Sequence, residues 1–79
     1  MTSMLIGTVL WFDPHRSYGF IRAADGRGDI FVHASAVERS GLLGLFSGQV
    51  VAFDLASRVG ASMMAVNLKL LAADTEGPS

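Results

Sequence analysis

Apolar and polar positions alternate along Tyr18-Gly19-Phe20-Ile21-Arg22-Ala23 and again along Asp29-Ile30-Phe31-Val32-His33. A period of two is the mark of a half-buried β-strand. Three further runs, over residues 5–12, 49–56 and 63–71, are rich in β-branched, aromatic and aliphatic residues. Turn formers interrupt them: Asp13-Pro14-His15, the hairpin signal Asp25-Gly26, and the region of Gly60. Residues 34–38 have room for one helical turn, and Arg39 to Gly48 forms a long connection that is apolar for a loop, with Leu42, Leu43, Leu45 and Phe46. No segment has helix-length periodicity. Five short strands with the long connection between the third and fourth predict an all-β fold, a five-stranded antiparallel Greek-key barrel of the OB type, with an SH3-like barrel as the competing architecture. The pattern assigns residues 1–72 to the barrel and 73–79, which lack bulky apolar side chains, to a disordered tail.

The same alternation sorts side chains into faces. On the second strand Ile21 and Ala23 share one side and Tyr18, Phe20 and Arg22 the other; on the third, Ile30 and Val32 oppose Phe31 and His33. An aromatic residue in a strand is most often core. Here, burying Phe20 and Phe31 would turn Ile21, Ile30 and Val32 to solvent, so the aliphatic side is the expected inside, together with Val51 and Phe53. If the two strands form a hairpin, Tyr18, Phe20, Phe31 and His33 make an exposed aromatic platform with Arg16 and Arg22 at its margin. Trp11 is ambiguous, because an ideal strand puts it on the same side as Val9, and a bulge or sharp bend is needed to separate them.

Composition narrows the possibilities. Seventy-nine residues form one small domain, and with no cysteine there is no disulfide and no Cys-ligated zinc site. Hydrophobic residues make up 51% and charged residues 16%, which gives a globular chain with apolar side chains left outside. Six basic against seven acidic residues, net -1, remove the field of a strongly basic nucleic-acid binder. Yet five of the seven aromatics fall within residues 11–31. Flat rings beside arginines are what single-stranded nucleic acid needs, since any base can stack. No apolar run reaches the length of a membrane span and Met1-Thr2-Ser3-Met4 has no basic leader, so the cytoplasm is the expected location and no membrane association is expected.

Trp11-Phe12, Tyr18-Gly19-Phe20-Ile21, Asp29-Ile30-Phe31-Val32-His33 and Ser35-Ala36-Val37 resemble the cold-shock domain in order and spacing, the second and third blocks matching its RNP1-like and RNP2-like motifs. The similarity continues through Gly48-Gln49, Val51 and Phe53 to Ala65-Val66-Asn67-Leu68, covering roughly residues 4–71. This resemblance implies an OB-type barrel that binds single-stranded RNA or DNA and often acts as an RNA chaperone. It carries binding roles to Trp11, Phe12, Tyr18, Phe20, Phe31 and His33, with Arg16 where the family usually has Lys. The chain also departs from the pattern. Leu10 and Leu43 stand at usual Lys positions, Ser17 at a usual Gly, Ala34 and Leu42 at positions that are often aromatic, Val50 at an often polar one, and Met63-Met64 in a segment that usually contains Pro.

Other chemistry has less support. His15 and His33 lack a third metal ligand, Asp13, Asp25 and Asp29 are turn residues rather than a catalytic pair, and Gly26-Arg27-Gly28 is no phosphate loop because no Lys-Ser/Thr and helix follow. The expectation is a binding module without catalysis, metal or cofactor. It would bind single-stranded RNA or DNA sequence-tolerantly by stacking, with Arg16 and Arg22 on phosphate. The rival expectation is a self-associating or protein-binding adapter barrel, a weak homodimer or protein partner contacting Leu42, Leu43 and Phe46.

Overall fold

The computed structural model describes residues 4–58 and 61–72. Their order is β1 (Leu5–Asp13), β2 (Tyr18–Ala23), β3 (Asp29–His33), α1 (Ala34–Arg39), β4 (Val50–Arg58) and β5 (Ala61–Ala72). The strands close into a barrel in the order β1-β2-β3-β5-β4. Four of the seams are antiparallel ladders, with Phe20 opposite Phe31 and Ile21 opposite Ile30 between β2 and β3, and Leu5 opposite Phe53 between β1 and β4. The fifth, between β3 and β5, is parallel, with Phe31 opposite Met64 as its one register pair among the described residues. The expected Greek-key barrel is therefore present, closed by one short parallel contact. The turn expected around Gly60 and the tail over 73–79 lie outside the described residues.

Alternation fills the interior as expected. Val9, Ile21, Val32, Val51 and Phe53 are almost fully buried, joined by Ile30, Ala65 and Leu68. The helical turn adds Ala36 and Val37, packing α1 against β3 and β5 across one end of the barrel. The long connection divides: Leu45 is buried in the core and Leu42 packs on it, whereas Leu43 and Phe46 are exposed.

Close approach shapes the sheet at two glycines. A Cβ on Gly7 would lie 2.6 Å from Ile21 Cγ2 and 2.7 Å from the Arg22 carbonyl oxygen. One on Gly19 would overlap the Trp11 carbonyl oxygen and lie 2.7 Å from Phe12 Cα, so only a residue without a side chain lets β1 fold over β2 there.

Candidate nucleic-acid interface

The position of Trp11 is set by a β-bulge. Val9 pairs with Ile21 and Trp11 with Phe20, so Leu10 is an extra residue on β1. The slip of one residue turns the chain over: Val9 stays in the core while Trp11 comes out beside Phe20 at 41% exposure. Groups freed by the bulge are taken by the segment before β4. The Val9 N–H donates to the Gln49 carbonyl (2.8 Å), the Gly48 N–H to the Val9 carbonyl (2.9 Å), and the Ser47 hydroxyl to the Leu10 carbonyl (2.8 Å). This is the bulge that the sequence requires for Trp11 to leave the side of Val9.

Five rings then meet on the outer face of β1, β2 and β3. Trp11 lies edge-on to Tyr18 (centroids 5.4 Å) and to Phe20 (5.5 Å). Phe20 and Phe31 meet edge-to-face at 6.0 Å, Tyr18 and Phe31 stack at 5.6 Å with planes 20° apart, and His33 lies 6.4 Å from Phe31. Edge and stacked contacts of this kind hold each ring in place before any ligand arrives. His33 has a second task. It caps α1, its Nδ1 accepting the Ser35 N–H at 3.0 Å, and this fixes Nε2 as the N–H donor of the neutral ring.

Phe12 is placed differently from the other predicted ring residues. It pairs with Gly19, packs half-buried on the core, and lines a hollow of about 150 Å³ with Pro14, Ser17, Ala34, Glu38 and Leu43. The hollow lies where the resemblance leads one to expect an aromatic ring at residue 34.

The cations stand beside carboxylates. Arg16 lies 3.7 Å from Asp13, Arg22 3.3 Å from Asp29, its cross-strand partner, and Arg27 2.8 Å from Asp25. These exposed pairs contribute little to stability, but each carboxylate opposes the attraction of its arginine for phosphate. The bond from Arg27, reinforced by the Arg27 backbone N–H, holds the Asp25 carboxyl below the usual carboxylate range. Asp13 organises the β1–β2 turn, its carboxylate accepting the His15 N–H at 2.9 Å. In that turn Ser17 adopts a left-handed backbone, φ 66°. No group of three or more metal-ligating side chains occurs among the described residues, and no helix there is long and apolar enough to cross a membrane.

The exposed apolar surface expected of Leu42, Leu43 and Phe46 needs correction. Leu42 turns inward onto the core cluster, because closing the barrel end buries more apolar area than leaving it on the loop surface, and only Leu43 and Phe46 stay outside.

Residues 5–70 match the family profile of the 'Cold-shock' DNA-binding domain. The chain belongs to the cold-shock domain family. It is 47% identical over 70 residues to the cold shock-like protein CspA of Rickettsia bellii, an overlap of 89% of this chain and 99% of that protein. It is 46% identical over 67 residues to the probable cold shock protein y4cH of Sinorhizobium fredii, covering 84% and 97% of the two chains. With the cold shock-like protein CspB of Escherichia coli it shares 40% over 57 residues, 72% of this chain and 80% of the other. Cold-shock domains are nucleic-acid-binding modules that bind single strands and are not enzymes.

No binding role is legible in the sequence for Ser35 or Met64, yet Ser35 touches His33 and Met64 pairs with Phe31. Met64 comes beside Phe31 only through the parallel closure, and no alternation pattern within one strand reports which strand closes a barrel.

Proposed function

We propose that this cold-shock domain binds single-stranded RNA or DNA sequence-tolerantly by stacking successive bases on Trp11, Tyr18, Phe20, Phe31 and His33. The observation that carries this reading is the cross-strand assembly of five rings on an outer face, with the aliphatic residues that alternate with them buried. Surface rings held apart from the core offer π-faces to any base, at about 1–3 kcal/mol per stacked base. His33 adds one fixed donor, the Nε2–H. Phe12 contributes from the hollow at the barrel end, where it is the ring available to a base leaving the platform. Arg16 and Arg22 reach phosphate only in competition with Asp13 and Asp29, so stacking carries the affinity and charge adds little. Shallow, readily reversed stacking on unpaired bases supports an RNA-chaperone role.

The direct test is titration of Trp11 fluorescence with oligo-dT and oligo-U. Both strands should change the emission saturably. A folded protein whose emission responds to neither strand refutes the reading.

A further inference from the structure

Glu38 and Arg39 are adjacent on α1 and border different hollows. Glu38 lines the one that contains Phe12 and Leu43. Arg39 lines a second, of about 120 Å³, with Ser35, Met64, Val66 and Asn67. The helix thus presents a carboxylate to one side and a guanidinium to the other. Glu38 disfavours a phosphate at the first hollow, and Arg39 favours one at the second. Arg16, Arg22 and Arg27 each stand within 4 Å of an aspartate, whereas Arg39 has no ion pair among the described residues. Among the described residues its charge is uncompensated, which leaves it able to bind phosphate.

The second hollow is continuous with the platform at two points. Met64 is the closing partner of Phe31. Ser35 touches His33, its hydroxyl 3.0 Å from Nδ1 and its N–H donating to the same atom. A strand stacked on Phe31 and His33 that continues past β3 therefore passes over Met64 and Ser35 and meets Arg39. Asn67, held in a left-handed conformation (φ 52°), gives one amide hydrogen to Asp54 Oδ2 at 3.0 Å and keeps a second for an acceptor in the hollow.

We propose that the hollow between α1 and β5 is a phosphate subsite of the same single strand, with Arg39 as the charged ligand and the Asn67 amide as a neutral donor. This rests on the stacking reading above and extends it: where the strand leaves the rings past Met64 and Ser35, its phosphate meets the Arg39 side of α1.

The test compares oligo-dT of four and of eight nucleotides by Trp11 fluorescence in the wild type, Arg39→Gln, Arg39→Lys and Phe31→Ala, with circular dichroism confirming the fold of each. A four-nucleotide strand is filled by the rings, while an eight-nucleotide strand extends beyond them. Arg39→Gln should weaken the longer strand roughly three- to tenfold and flatten its log–log salt slope by about 0.7, the share of one phosphate contact on a single strand. It should leave the shorter strand unchanged, and Arg39→Lys should retain most of the longer strand's affinity. If Phe31→Ala weakens both strands while Arg39→Gln changes neither, or changes both equally, the phosphate subsite is wrong and the stacking platform stands. If Phe31→Ala changes neither, the platform fails and the subsite fails with it.

Discussion

Trp11 and Phe20 face each other on adjacent strands with ring centroids 5.5 Å apart, although Trp11 has the same strand parity as Val9, which is buried. One extra residue, Leu10, reconciles the two, and the platform depends on that slip. Gly19 lies beneath it, against the backbone of Trp11 and Phe12. Gly19→Ala would force β1 away from β2, and overpacking of this kind costs about 1–3 kcal/mol. The expected outcome is a lower thermal midpoint and a Trp11 emission shifted even without ligand. An unshifted emission would show that Gly19 does not position Trp11.

Phe20→Ala and Phe31→Ala should each weaken oligonucleotide binding by about 1–3 kcal/mol while the barrel persists, because neither ring is in the core. Unchanged affinity with a retained circular dichroism spectrum would remove the rings from the binding surface.

The salt dependence should be shallow. With three arginines of the platform region beside aspartates, about two or three phosphate contacts remain, and at roughly −0.7 each the log–log slope is about −1 to −2. A slope steeper than about −4 would require a basic surface that the described residues do not form.

Much of this was legible in the chain itself. β2 and β3 have the expected bounds because turns flank β2 and precede β3 while the helix capped by His33 ends β3, and the core set Ile21, Ile30, Val32, Val51 and Phe53 follows from strand alternation. β4 and β5 run further than residue propensity suggests, to Arg58 and from Ala61, because ladder bonds persist after the favourable residues stop. Within the connection, Leu45 is in the core and its neighbour Phe46 is 69% exposed, a division decided by the shape of the barrel end and not by any local period. The charge count predicted a near-neutral site, but not that each arginine from Arg16 to Arg27 would be matched to one aspartate.

Ser17→Gly should stabilise the protein by about 0.5–1 kcal/mol. A side chain at φ 66° is strained, and glycine adopts that conformation without the Cβ penalty, although its freer unfolded state takes back part of the gain. Chemical denaturation measures this directly, and a destabilised variant would mean that contacts of the Ser17 side chain outweigh the backbone strain.

The carboxyl of Asp25 titrates low because Arg27 bonds to its charged form. A folded value below the unfolded one stabilises the hairpin above the unfolded carboxylate range, about 3.9, and this stabilisation disappears as the pH falls through the folded value. In Arg27→Ala the Asp25 carboxyl resonance should titrate closer to the ordinary range. An unmoved midpoint would assign the shift to another cause.

The parallel pair Phe31 and Met64 gives the barrel one narrow seam among the described residues, and the seam runs beneath a ring on the outer face. The register across it is the shortest among the described residues, so the amides near it should be among the first to exchange their protons in the free protein. A strand lying from Phe31 across Met64 would bridge that gap from outside. Occupancy would then be recorded as slower breathing of the cylinder, and recognition and closure would share one free energy.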